Sequence, residues 1–418
     1  MKQKEIFYPI VVVGAGAAGI FAAMRAAKLL GKNKVLVLER TAKALAKLKI
    51  SGGGRCNVSH ALFDIREFIK NYPRGGCELL GPFHQFHVKD LITWFEERGL
   101  YLKAEKDGRM FPVTDSSQSI IDCFFEEMNN LGVAIEYSKK IETIEKKPDG
   151  RFQVCGEGFC IWAQNLLLAT GSNPASYALA KAFSHTIVTP NPSLFSFNLP
   201  KSDLLDLSGI SLDEVEISLP EIKKQARGAI LLTHWGFSGP GVLRLSAFAA
   251  RDLFDLNYQT SLKIDWLVHY SEQECMEIIF QKCKSSKRKV AKDPITSLFP
   301  TSLWTRFIKL LEIPEDKFWK DLSKKSRQKI VQKLKQDLYQ ISGTSRFKQE
   351  FVTAGGLSLK EINFKNMESK LERGLYFAGE LLDIDGVTGG FNFQAAWTCG
   401  YIAATSMARS ILEKDKLF

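Results

Sequence analysis

The run Gly14-Ala15-Gly16-Ala17-Ala18-Gly19 constrains this chain more than any other feature, because of what surrounds it. Ahead of it Ile10–Val13 reads as a short, wholly apolar strand; behind it Ile20–Leu30 reads as an alanine-rich helix and Lys34–Leu38 as a second, β-branched strand. That order predicts a βαβ unit, and with it a parallel sheet carrying helices on its faces. Gly14 permits the tight bend, Gly16 leaves room for a pyrophosphate against bare backbone, and Gly19 lets the helix approach the sheet. The helix start then offers free N–H groups and the positive end of its dipole to the phosphates. Glu39 closes the second strand, where a carboxylate accepts hydrogen bonds from both hydroxyls of an adenosine ribose and repels a 2′-phosphate.

Two further glycine-rich stretches ask for an explanation. In Lys49-Ile50-Ser51-Gly52-Gly53-Gly54-Arg55-Cys56-Asn57, adjacent glycines cost much backbone entropy. Successive N–H groups wrapping an anion, or a flat ring lying on bare backbone, would justify that cost. Arg55 is suited to pair with a pyrophosphate or with the charge of a reduced flavin. Near the other end, Leu375–Gly379 reads as a buried strand, Glu380 follows it, and Gly389 and Gly390 stand just ahead of a helical stretch over Gln394–Leu412. Glu380 suits the hydroxyls of a ribityl chain. The helix start would direct partial positive charge at the N1–C2=O edge of an isoalloxazine, where negative charge gathers on reduction.

The middle of the chain has a different texture. Val215, Ile217 and Leu219 alternate with polar residues, as do Leu262, Ile264 and Trp266, which predicts half-buried strands of an antiparallel sheet or small barrel. Over 271–340 apolar residues recur at three- and four-residue spacing, as in Phe307, Leu310 and Leu311 or Ile330, Leu334 and Leu338, predicting helices. The expected organisation is an FAD-type domain in two parts (1–190 and 346–418), a barrel-like insert (191–270) and a basic helical subdomain (271–345). The formal charge of +11 is concentrated in this last region, where residues 271–348 hold 18 Lys and Arg against 9 Asp and Glu. Its peak, Lys282 to Lys289, could attract polyanions but is more often a solvated face, so a nucleic-acid partner is not the first expectation. Eight cysteines without a CxxC suit reduced thiols and a cytoplasmic setting; the histidines show no metal-ligand spacing, so no metal is expected. No apolar run is long enough to span a membrane.

Together these stretches resemble the BaiN/YhiN-like family of FAD-dependent oxidoreductases, some of whose members are described as aminoacetone oxidases. The phrases carrying the resemblance are VVVGAGAAGIFAA at 11–23, KISGGGRCNVSH at 49–60, GRMFPVTDSS at 108–117, LLATGS at 167–172, THWGFSGPGVLRLS at 233–246 and GLYFAGELLDIDGVTGGFNFQAAWTCGY at 374–401. The resemblance implies an α/β fold: a discontinuous Rossmann-like FAD-binding domain with an inserted β-barrel-like domain and a helical portion. Carried over by position, FAD contacts would fall to Gly14, Gly16, Ala17, Ala18, Glu39, Arg40, Lys47, Gly53, Gly54, Arg55, Cys56, Asn57, Gly379, Glu380, Gly390, Phe391 and Asn392, with Thr170 and Gly171 on the adenosine side.

Chemistry narrows the rivals. Disulfide reductases of the two-dinucleotide type place two cysteines with four residues between them beside the flavin, but position 61 here is Ala61, so Cys56 has no such partner. They also carry a second GxGxxG for NAD(P)H, and none occurs here. Either a nicotinamide reductant binds transiently over the flavin or the substrate itself is the reductant. His234, within Thr233–Pro240, is a candidate proton donor, with orientation of a loop as the alternative. Arg109, beside Phe111 and Pro112, suits an anionic substrate group or an ordinary ion pair. Cys56 either contacts the ring or packs as a small thiol. The expected activity is hydride transfer through flavin N5 to or from a small-molecule substrate. It would reduce an activated carbon–carbon double bond or oxidise a small amine; the alternative is a flavin-binding protein docking to RNA through its basic helices.

Overall fold

The computed structural model describes residues 6–297, 299–343 and 352–415, and the chain divides into two compact units, Met1–Pro190 with Thr353–Phe418, and Asn191–Val352. The first is α/β. Its central strands lie in the order Leu375–Phe377, Phe159–Leu168, Ile6–Val13, Val35–Leu38, Ala134–Glu136, all parallel. Register aligns Val13 with Leu38 on one side and Leu168 on the other, so three strands end level with the glycine turn. Ile10, Val11, Val12, Val35, Leu36, Val37 and Leu166 to Leu168 are fully buried. An uninterrupted apolar run is what a strand covered on both faces requires, and each such side chain contributes roughly 1.5–3 kcal/mol of burial. The first helix, Ala17–Leu30, packs on the last, Phe391–Asp415; a Cβ at Gly400 would stand 2.5 Å from the Ala18 carbonyl oxygen, so the two helices are in backbone contact. A small antiparallel sheet of Ser59–His60, Arg109–Pro112 and Leu102–Ala104 supports the second glycine cluster.

One expectation fails here. Cys155 and Cys160 form a disulfide rather than standing as reduced thiols. The antiparallel pairing of Phe152–Gly156 with Phe159–Leu168 sets them directly opposite, Cα atoms 4.2 Å apart, across a turn at Glu157-Gly158. Hairpin register, rather than a CxxC spacing, brought them together. The other six cysteines are free.

The second unit holds a six-stranded antiparallel sheet in the order Phe197–Asn198, Gly236–Ser238, Lys224–Thr233, Ser211–Leu219, Gln259–Asp265, Asp337–Ser342. Its edges nearly close into a barrel: the Asn198 N–H donates to the Gly343 carbonyl (3.2 Å) and Asn198 Nδ2 to Ser342 O (3.0 Å). Val215, Ile217, Leu219, Leu262, Ile264 and Trp266 all point inward and are buried, as the alternation predicts. The helices Glu272–Ser285, Thr301–Leu310 and Lys324–Lys335 share that core through Cys275, Ile279, Trp304, Phe307, Ile330 and Leu334. Leu338 departs from its expected helical stripe. The helix ends at Lys335 and the chain enters the strand Asp337–Ser342, whose two-residue period turns Asp337 and Ile341 inward and leaves Leu338 65% exposed.

Candidate functional site: a dinucleotide cradle

The glycine turn has the geometry its residues predict. Gly14 sits at φ +107°, and a Cβ there would lie 2.5 Å from the Ala169 carbonyl oxygen. A Cβ on Gly19 would fall 1.9 Å from Gly14 O, so the helix packs against the turn with no room for a methyl group. At Gly16 the opposite holds, with no atom within 4 Å of the added carbon. No side chain caps the helix at Gly16 and its first turn holds no acidic residue, leaving its leading amides available to an anion. Glu39 is fixed at the rim of this turn: its carboxylate accepts from the Ala15 N–H and from the N–H and hydroxyl of Thr41, each at 2.8 Å.

Gly52, Gly53 and Gly54 all take positive φ (+56°, +69°, +87°), which explains why three glycines stand in a row. Gly52 packs on Asn57 and Phe111, whereas Gly53 and Gly54 open onto empty space. The loop is tied to the start of the last helix more than 300 residues away. With its amide oriented to satisfy both neighbours, Asn57 donates to Ser59 O (3.0 Å) and accepts from the Gly390 N–H (3.1 Å). Ser59 Oγ donates to Gln394 Oε1 (2.7 Å), and a Cβ on Gly390 would meet Ser59 O at 2.4 Å. His60 completes the join: Nδ1 faces Gly389 O at 3.1 Å, and its ring stacks on Phe391 at 4.7 Å between centroids. A carbonyl only accepts, so Nδ1 carries the proton. Burial holds this imidazole below its ordinary pKa.

Glu380 gathers the remaining stretches. It forms an ion pair with Lys47, accepts from the Thr353 N–H at 3.2 Å, and lies 4.0 Å from where a Cβ on Gly171 would be. Next to Gly171, the buried hydroxyl of Thr170 has no hydrogen-bond partner among the described residues. Gly379, in turn, abuts Ala18 on the first helix. The open faces at Gly16, Gly53 and Gly54, the uncapped helix start and the orphaned Thr170 hydroxyl fit a bound dinucleotide. A buried hydroxyl without a partner is otherwise costly.

The other candidates make the following contacts within the protein. Arg55 lies 3.9 Å over the Phe111 ring, with its guanidinium 2.7 Å from Glu105 and 3.5 Å from Asp115. Arg109 pairs with Glu105 (2.8 Å) and Asp107 (2.7 Å). Cys56 is fully buried, and burial pushes its thiol up to about 12 despite a hydrogen bond with Ser51, so it stays protonated at neutral pH. Phe391 is buried beneath His60, its carbonyl accepting from Tyr72 (2.6 Å). Asn392 spends its amide on the backbone of Gly386, at 2.8 Å in both directions. Arg40 is exposed. His234 belongs to the other unit, exposed at the two-residue turn between Lys224–Thr233 and Gly236–Ser238, its ring against Trp235 at 4.3 Å. Ser59, His60 and Gln394 were not singled out in sequence. Ser59 and His60 do stand within the phrase KISGGGRCNVSH, but their partners lie at the far end of the chain and no local spacing announces them.

Comparison with known proteins agrees with this geometry. The pattern of the HI0933-like protein Rossmann domain matches residues 8–406. A 3-dehydro-bile acid delta(4,6)-reductase of Clostridium scindens is 26% identical over 409 residues, covering 96% of this chain and 98% of that protein. A ribosomal RNA dihydrouridine synthase of Haemophilus influenzae is 30% identical over 415 residues, covering 96% and 98%. Among solved structures, 3-ketosteroid-delta4-(5alpha)-dehydrogenase from Rhodococcus jostii RHA1, in complex with 4-androstene-3,17-dione, shares the fold with a TM-score of 0.51 at 14% identity, covering 98% of both chains.

Proposed function

The chain belongs to the HI0933-like Rossmann family, and from that premise we infer that it is an FAD-dependent oxidoreductase and propose that its reaction is the reduction of a carbon–carbon double bond conjugated to a carbonyl. The observation that carries the cofactor assignment is the join of Asn57, Ser59 and His60 to Gly389 and Gly390, which closes one cradle from stretches at opposite ends of the chain. The reaction type is supported by what the names of the two similar proteins have in common. A delta(4,6)-reductase acting on a 3-dehydro steroid and a synthase of dihydrouridine both saturate an alkene next to a carbonyl.

When bound, FAD supplies a hydride from its N5. This chain's residues bind and orient it. The uncapped start of Ala17–Leu30 and the bare backbone at Gly16 receive the pyrophosphate, and Glu39 takes the adenosine ribose. Thr170 and Gly171 line the adenosine side, and Glu380, held by Lys47, meets the ribityl hydroxyls. The start of Phe391–Asp415 favours the negative charge that builds on a reduced ring. Cys56 keeps its proton and forms no thiolate beside the ring. A nicotinamide that binds transiently is the proposed reductant.

Anaerobic titration tests the reading. Purified yellow protein should bleach with NADH or NADPH, and a 4-en-3-one steroid or uridine should restore its colour. Bleaching by a small primary amine, with no reoxidation by either alkene, would replace this reaction with amine oxidation.

A further inference from the structure

The peptide group between Gly389 and Gly390 is gripped at both of its ends by one loop. His60 Nδ1 donates to the Gly389 carbonyl at 3.1 Å, and the N–H of the same peptide, on Gly390, donates to the Asn57 side-chain oxygen at 3.1 Å. Both glycines take positive φ (+117° and +92°), and without Cβ atoms the peptide between them meets little steric resistance to rotation. Its orientation therefore depends on these two hydrogen bonds. The Gly390 carbonyl in turn accepts from the Gln394 N–H at 3.0 Å, the first bond of the helix Phe391–Asp415, and the Gln394 side chain is held by Ser59 at 2.7 Å. The direction of the leading amides of that helix follows from the setting of one peptide plane. His60 itself is boxed in: its ring stacks on Phe391 at 4.7 Å between centroids, and a Cβ on Gly108 would stand 2.4 Å from Nε2.

We propose that His60 is a positioning residue that sets the reduction potential of the bound flavin: by pinning the Gly389–Gly390 peptide it holds the start of the last helix in the orientation whose amides favour a reduced, negatively charged ring. This rests on the cofactor reading above and adds to it a determinant of how readily the cofactor is reduced. Dipoles fixed beforehand stabilise a developing charge without reorganising, and a turn free to rotate loses that advantage. The loss falls chiefly on the reduced state. An oxidised, uncharged ring gains little from the partial positive charge of the helix start, so removal of the His60 donor should weaken binding of reduced FAD more than binding of oxidised FAD. A residue that only built the wall of the cradle would weaken both alike, and the potential would not move.

The midpoint potential of the full-length, flavin-loaded protein, measured anaerobically against a reference dye, separates these roles. His60→Leu refills the space without a donor and should lose about tenfold of the preference for reduced over oxidised FAD, a potential about 30 mV more negative for a two-electron couple. His60→Asn returns an amide donor close to the position of Nδ1 and should stay within about threefold of the parent, about 14 mV. Melting temperatures and the dissociation constant of oxidised FAD from deflavinated protein show that each variant is folded and loaded. Where leucine disturbs the packing on Phe391, His60→Ala gives the same comparison. A donorless variant within threefold of the parent would overturn the proposal. Equal shifts in His60→Leu and His60→Asn would also overturn it, by assigning the effect to the lost ring rather than to its hydrogen bond, as would complete loss of FAD by a folded donorless variant. A parent protein that binds no FAD would instead overturn the cofactor reading, and this proposal with it.

Discussion

At the scale of single residues, two glycines of the cradle face opposite surroundings and should fail in different ways. The methyl group of Gly19→Ala has nowhere to go, 1.9 Å from Gly14 O, and relieving that overlap means moving helix from strand. The variant should lose about 2 kcal/mol of stability in denaturant unfolding, together with its flavin. Gly53→Ala meets no atom but is strained at φ +69°, so it should cost about 1 kcal/mol while lowering FAD affinity at least tenfold in titrations of the deflavinated protein. Equal FAD affinity in parent and Gly53→Ala would remove the second glycine cluster from the site. Cys56 supplies a test of a different kind. Its thiol, pushed up to about 12 by burial, should resist iodoacetamide at pH 8 in the folded protein while exposed Cys77 reacts. Peptide mapping reads the two sites separately, and rapid modification of Cys56 would contradict its burial.

Elements are joined by a few buried polar contacts, and these carry the predictions at that scale. Arg74 is paired with Asp385, whose side chain is wholly buried, fixing the segment ahead of Gly76–Gln85 to the loop that leads into the last helix. Arg74→Ala leaves that carboxylate without its cation and should cost about 3 kcal/mol, more than removal of any exposed pair. A thermal melt within 2 °C of the parent would show the pair to be dispensable. At the start of the helix Val88–Glu96 the Asp90 carboxylate takes the His87 N–H at 2.7 Å. Burial lowers this imidazole from 6.5 to about 4, so the unfolded chain binds the extra proton first as pH falls. Stability should therefore be complete above about pH 6.5 and decline as pH drops toward 4, and His87→Asn, which removes the titrating ring, should flatten that slope. An unchanged slope in the variant would assign the acid sensitivity elsewhere.

For the molecule as a whole, what could be read in sequence was what depends on neighbours along the chain. The turn at Gly14–Gly19 announces itself because strand, bend and helix are consecutive, and the barrel strands because Val215, Ile217 and Leu219 alternate. Features set by register, by a change of element or by pairing across the chain stayed hidden. Hairpin register joined Cys155 to Cys160, and a change from helix to strand turned Leu338 outward. The contacts of Ser59 and His60 with the last helix span more than 300 residues and obey no periodicity. Charge was legible in amount but not in use: Arg55 and Arg109 both turn to Glu105, while Lys287 to Lys289 stay free of ion pairs among the described residues.

The most direct test of the account is a crystal structure of the flavin-loaded protein. The adenosine ribose should lie on Glu39, the pyrophosphate against Gly16, and the isoalloxazine beside Gly53, Gly54 and the start of the last helix. A flavin bound away from these residues, or density showing that Glu39 and Gly390 contact no common ligand, would contradict it.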